Sequence, residues 1–183
     1  LVIVADEIPD DIASVVGEKV LVVTSGYLTP LYDYDVLVDC IEQLDQELYH
    51  FVFAFYNMVD VDYKRHISSR LARVSNVSVI TDRPPDEFLA VLRRGDVYVR
   101  TALVDGDSVA IREALSFGKI VIASDCVKRP EQCFLFSTGD SQDLLRKLSD
   151  SARGDISAPI VDTSLQRILS VYKQAYSSKM AGY

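Results

Sequence analysis

Six short runs along the chain are apolar at nearly every position, at residues 19–24, 51–56, 77–80, 97–100, 120–124 and 134–137. They are rich in β-branched and aromatic residues, which is the pattern of strands covered on both faces. Between them, at 35–48, 63–74, 86–94, 108–117 and 141–148, apolar residues recur at helical spacing. Strand and helix in alternation predict an α/β fold, a Rossmann-like parallel sheet flanked by helices. Boundary residues agree: Asp82 is placed to cap the helix that Pro84 and Pro85 help start, and Gly95 follows the basic last turn Arg93-Arg94. Gly118 is expected to end the preceding helix in the same way. A last amphipathic stretch, 163–179, puts Leu165, Ile168, Leu169, Tyr172 and Ala175 on one stripe, after a polar stretch, 149–155, that reads as a linker. Residues 1–18 read as a lead-in from an N-terminal domain outside this chain, 19–150 as the domain proper, and 151–183 as linker and closing helix.

Composition narrows the function. A chain of 183 residues, 49% hydrophobic and 25% charged, has enough apolar material for one core at the usual domain size of ~100–200 residues. Its 27 acidic and 19 basic residues give a net charge of −8, so no broad positive field condenses on a nucleic acid backbone. The basic runs Lys64-Arg65-His66, Arg93-Arg94 and Lys128-Arg129 are separated and flanked by acids, as on solvated faces. Cys40, Cys126 and Cys133 form no CxxC pair, and His50 and His66 have no second ligand at metal spacing, so neither a disulfide framework nor a protein-held metal is indicated. A cytoplasmic setting fits these cysteines. The longest apolar stretches fall far short of the ~20 residues that span a bilayer, and the opening Leu1 to Ala5 lacks the basic region of a signal peptide. Membrane contact by a larger parent protein is left open.

In an open parallel sheet the ligand lies beyond the carboxyl ends of the strands, which directs attention to the loops 25–34, 81–85, 101–108 and 125–131. None contains GxGxxG or GxxxxGK[ST], which removes the main support for a dehydrogenase or an ATPase. The stretch GDVYVRTALVDGDSVAIREALSFGKIVIASDC, from Gly95 to Cys126, resembles the donor-site signature of the GT-B glycosyltransferases of group 1, or family 4. The likeness extends to VLVVTSGYL at the first strand, DRPPDEFLAVLRRGDVYV before the signature, PEQ at Pro130 to Gln132, and FLFSTGDSQDLLRKL near the end. It implies the C-terminal, nucleotide-sugar-binding domain of a two-domain enzyme, whose acceptor domain lies outside this chain. The implied reaction transfers a sugar from a nucleotide diphosphate donor to a hydroxyl with retention of configuration, without a cofactor or an essential metal.

The family's two acids, eight residues apart, fall here on Asp105 and Glu113. The resemblance gives Glu113 to the ribose hydroxyls and Asp105 to those of the transferred sugar. Physical chemistry supplies a matching logic for the loop between them. A helix starting near Ser108 and Val109 presents free N–H groups and its positive dipole end to a pyrophosphate, and Gly106 permits close backbone approach. Gly26 stands where the resemblance places the glycine of the family's first-strand loop. Departures concern charge: Tyr27 and Tyr32 stand where the family has Arg and Lys, and Asp107 stands in place of a Phe. An uncompensated unit charge at ~4 Å is worth about 4 kcal/mol at an effective dielectric near 20. Candidate replacements for the lost cations are Lys128, Arg129, Arg83 and Arg100. Two other readings stay open: a non-catalytic module that kept the fold and lost the donor site, and a sugar-nucleotide epimerase, which would call for a histidine in the cleft. For the loop itself the alternative is a polar turn at Asp105 and Asp107, with Glu113 a solvated residue pairing with Arg112 or Lys119.

Overall fold

A computed structural model describes residues 8–56 and 60–158 of the chain. Six strands are present in the described residues: β1 (Val20–Tyr27), β2 (Tyr49–Tyr56), β3 (Val77–Thr81), β4 (Val97–Arg100), β5 (Ile120–Ser124) and β6 (Phe134–Phe136). All pairings are parallel, and the order across the sheet is β3-β2-β1-β4-β5-β6. Helices α1 (Asp10–Val16), α2 (Tyr34–Ile41), α3 (Val61–Leu71), α4 (Pro85–Arg94), α5 (Val109–Ser116) and α6 (Ser141–Arg153) complete the alternation.

Period-two alternation sends each strand's residues into two separate cores. On one side Val22, Phe51, Phe53, Phe55, Val99 and Ile122 meet Leu37, Ile41, Ile67 and Leu144 of α2, α3 and α6. On the other, Leu21, Val23, Val52, Ala54, Tyr98 and Val121 meet Ile12, Leu89, Leu92 and Ile111 of α1, α4 and α5. Both faces are therefore covered, as the continuous apolar runs required.

Several boundaries differ from the sequence reading. Helix α2 stops at Ile41 instead of continuing to residue 48, because the Asp45 carboxylate accepts from the Glu47 N–H at 2.9 Å and closes a local turn that competes with helix. Helix α6 runs to Arg153, through the stretch read as linker. Ser149 and Ser151 fold their hydroxyls back onto the carbonyls of Leu145 and Leu148, so polar residues here sit on a helix face. Asp82 does not cap α4: the N-cap is Pro84, without a side-chain bond, since two prolines hold the approach extended and leave Asp82 too early to reach the first turn. Gly95 is no left-handed cap either, with φ of −55°; a Cβ there would lie 2.9 Å from Val23 Cγ2, so its role is close packing of α4 on β1. Helix α1 lies within the segment read as a lead-in, with Ile12 and Val16 buried in the second core. The expected helix over 163–179 lies outside the described residues.

His50 is buried with Nε2 2.9 Å from Ser78 Oγ, and burial lowers its pKa, followed by the charge of Lys19. No described helix is long and apolar enough to cross a membrane.

Candidate functional site

The direction in which strands are added reverses between β1 and β4, and such a reversal opens a crevice at the carboxyl ends of the two strands. Two segments meet there: the 3-10 turn Pro30–Tyr32 that follows β1, and the connection 101–108 that follows β4. They are tied together. The Leu103 N–H donates to the Leu31 carbonyl at 2.9 Å, and Thr101 Oγ1 donates to the Tyr32 carbonyl at 2.5 Å. From the next strand, Ser124 Oγ donates to the Ala102 carbonyl at 2.6 Å.

Asp105 stands on this connection between two arginines. Arg100, the last residue of β4, reaches it with Nε at 3.0 Å and Nη2 at 2.9 Å. Arg129, from the loop after β5, reaches it with Nη1 at 2.8 Å. The Gly106 N–H donates to the same carboxylate at 3.0 Å. A carboxylate offers about four acceptor positions, and all are engaged. The side chains of Arg129, Arg100 and Asp105 are only 2%, 9% and 10% exposed. Burial pushes the Asp105 carboxyl up, but hydrogen bonds and charge from Arg100 and Arg129 outweigh it and hold the group below its ordinary value. Each arginine is also fixed to a strand end, Arg100 through the Ser25 carbonyl at 3.0 Å and Arg129 through the Ser124 carbonyl at 3.2 Å.

Tyr32 forms the floor under Arg100, whose guanidinium carbon lies 4.4 Å from the ring centroid in a cation–π contact. The ring also meets Tyr27 at 5.8 Å and Tyr34 at 5.9 Å. This close aromatic packing explains Gly26. With φ of 151° it adopts a conformation that L side chains rarely take, and a Cβ would fall 1.9 Å from the Tyr32 ring. Gly26→Ala is expected to destabilise the domain by about 2–3 kcal/mol, combining overpacking with backbone strain. Chemical denaturation should show that loss, and Tyr32→Ala in the same chain should relieve only the steric part.

Helix α5 starts at this crevice. Ser108 is its N-cap, with Oγ accepting from the Ile111 N–H at 3.4 Å, and the N–H groups from Val109 onward include the unpaired ones found at any helix start. Asp107 is exposed and paired with the Arg112 Nε at 2.7 Å, which offsets the acid that replaces the family's aromatic residue. Glu113 lies one and a half turns in, half-buried. Burial raises its pKa, and among the described residues its carboxylate holds no hydrogen bond or ion pair. It lies near Tyr56 at the end of β2, whose hydroxyl is pushed up by burial, then by Tyr98, Glu113 and Asp82. The pairings of Glu113 with Arg112 or Lys119 that the alternative reading called for do not form among the described residues.

Hydrogen bonds thus join Asp105, Gly106 and Arg129, Asp107 to Glu113 continue from them into α5, and Gly26 lies against Tyr32 at the end of β1. Lys128 is exposed and unpaired among the described residues. Arg83 belongs to a different cluster, beyond the edge strand β3, where it pairs with Asp11 at 2.9 Å and Glu87 at 3.1 Å. Arg100 was legible only as a cation at a strand end; its place at the centre follows from β4 lying beside β1. Among the described residues, no group of three or more His, Cys, Asp or Glu side chains could hold a metal ion.

This sheet order, with its carboxyl-end crevice, defines a Rossmann-like domain. Known proteins carry the assignment further. The family model described as "Glycosyl transferases group 1" matches residues 18–152. The chain belongs to that family. Glycosyltransferase 1 domain-containing protein 1 of Xenopus tropicalis is 30% identical over 87 residues, covering 44% of this chain and 25% of that protein. Among solved structures, HepE of Anabaena in complex with UDP superposes with a TM-score of 0.70 at 17% identity, over 94% of this chain and 53% of that one. A UDP-forming α,α-trehalose-phosphate synthase of Burkholderia xenovorans gives 0.68 at 12% identity, over 77% of this chain and 38% of that one. The chain therefore spans about a quarter of the curated relative and between 38% and 53% of these two structures.

Proposed function

We propose that this chain is the donor-binding part of a longer glycosyltransferase, which transfers a sugar from a nucleotide diphosphate sugar to a hydroxyl with retention of configuration. The observation that carries the reading is Glu113: a half-buried carboxylate without a partner among the described residues, set eight residues after Asp105 on the helix that opens at the crevice. An ionised carboxylate kept partly out of water without a counter-charge is costly, and two ribose hydroxyls would supply the missing donors. The diphosphate would sit at the start of α5, against Gly106 and the N–H groups of Ser108 and Val109, where the dipole favours negative charge. Exposed Lys128 would add charge from the loop after β5. Stabilisation of the departing diphosphate would come from these dipoles and cations, already in place, with no essential metal. HepE has been crystallised with UDP and with UDP-glucose, which supports a nucleotide sugar of that class as donor. Acceptor contacts belong to a second domain, and a cytoplasmic role in glycan synthesis fits this reading.

The specific observation favouring the alternative, a binding module without activity, is that tyrosines fill the cation positions and the nearest buried arginines already share Asp105. Calorimetric titration of the chain with UDP, GDP and ADP separates the readings. Weak binding of one diphosphate is expected, with no turnover on added acceptors. Absence of any binding at saturating nucleotide, or sugar transfer by the purified chain alone, would contradict the proposal.

A further inference from the structure

The arginine pair at the crevice has more positive charge than its surroundings balance. Arg100 and Arg129 share a single carboxylate, and no other acid is paired with either among the described residues. Their side chains are 9% and 2% exposed, so the excess of one positive charge is held largely away from water, where an unbalanced charge is costly. The charge of such a cluster favours a second anion.

The two arginines are not equally placed for one, Arg100 being 9% exposed and Arg129 2%. A guanidinium has five N–H donors. Arg129 spends four on the Ser124 carbonyl, Asp105, the Gly106 carbonyl and Cys126 Sγ. Arg100 makes two bonds to Asp105 and one to the Ser25 carbonyl and also engages the Tyr98 hydroxyl, which leaves one N–H. Anchoring differs as well. Arg100 is held by a strand carbonyl and the Tyr32 ring, whereas Asp105 sits on a connection whose Leu103, Val104, Gly106 and Asp107 are exposed. A Cβ built on Gly106 would meet nothing within 4 Å. The acid stands on an exposed loop, whereas Arg100 is fixed to the sheet.

We propose that Arg100 is the principal anion-binding residue of this crevice, and that Asp105 is its resident counter-ion, displaced from Arg100 when a phosphate or diphosphate binds. The proposal rests on the donor-site reading for its biological ligand, and the cation it names is one that family resemblance does not supply. It also relocates the missing charge: Tyr32, where the family has Lys, becomes the platform on which a guanidinium from β4 is stacked. With Arg100 occupied by phosphate, the freed Asp105 carboxylate recovers acceptor positions for the hydroxyls of an attached sugar.

Inorganic pyrophosphate is the probe, titrated into the 183-residue chain and its variants by calorimetry. Asp105→Asn removes the competing charge and is expected to bind pyrophosphate roughly tenfold tighter or better, the scale of one charge-assisted hydrogen bond. Arg100→Met is expected to lose binding by the same factor. Equal or weaker binding by Asp105→Asn overturns the proposal. Should that variant fail to fold, NMR of the wild-type chain decides. Saturating pyrophosphate should move the Arg100 Nε–H signal, whose partner is Asp105, and leave that of Arg129, which donates to Ser124, in place. An unmoved Arg100 signal overturns the proposal. Titration with UDP in parallel keeps the two readings apart. UDP binding that depends on Glu113, without tightening in Asp105→Asn, refutes only the counter-ion role. Tight pyrophosphate binding by Asp105→Asn, with no UDP bound by wild type, refutes only the donor reading. Failure of both ligands in all chains refutes both.

Discussion

Asp105→Ala is expected to lower the unfolding free energy by about 3–5 kcal/mol, the cost of leaving buried partners without their counter-charge. Exposed loop residues usually change stability by no more than ~0.5 kcal/mol. The reason for the difference is geometric: one carboxylate, 10% exposed, answers two guanidinium groups that are 9% and 2% exposed. Denaturant unfolding checks it directly. A second signature is the dependence on pH. In the folded chain Asp105 is held below its ordinary value, so the unfolded chain binds the proton more readily. Its contribution is therefore fully present above the unfolded carboxyl value near 3.9 and is lost as the pH falls through the folded one. Wild type should lose stability more steeply on acidification than Asp105→Ala, which has no such carboxylate to protonate. Equal stability of the two chains at neutral pH would mean that the ion cluster contributes nothing net.

Glu113→Ala is expected to weaken UDP binding about 100-fold or more, because two charge-assisted hydrogen bonds at ~1.5–3 kcal/mol each would disappear. Glu113→Gln, which keeps the shape and loses the charge, should cost about tenfold. The ligand provides the sharper comparison. Wild type should discriminate against the 2′,3′-dideoxyribose diphosphate, and Glu113→Ala should not. Stability should move the other way. Burial raises the Glu113 pKa in the folded chain, so the folded state holds its proton to higher pH than the unfolded one and stability falls as the pH rises through that window. Glu113→Gln removes this penalty and should be at least as stable as wild type at pH 7. A residue whose loss weakens binding without weakening the fold has the character of a site residue, whereas a purely structural one would lower both. If wild type binds the dideoxy ligand as tightly as the normal one, Glu113 does not hold the ribose.

The parallel α/β architecture was readable in the apolar runs because a strand buried on both faces must be apolar on both, and Val52 and Phe53 face opposite cores. The family resemblance brought out Asp105 and Glu113, since eight residues from a loop into a helix is a local relation that survives without knowledge of the rest of the fold. The ends of α2 and α6 were not legible: an Asx turn at Asp45 and serine hydroxyls folded back at Ser149 and Ser151 are choices among hydrogen bonds of similar strength. Charge placement depended on tertiary structure altogether. Arg83 and Arg100 read alike as cations at strand ends, but β3 forms the edge of the sheet and β4 lies beside β1, so one pairs with Asp11 and Glu87 and the other occupies the crevice. Arg129 lies 24 residues from Asp105 and meets it at 2.8 Å because β5 pairs with β4. Local propensity and periodicity act over a few residues and are written in the sequence. Which charge faces which is set by the order of strands, a property of the whole packed sheet.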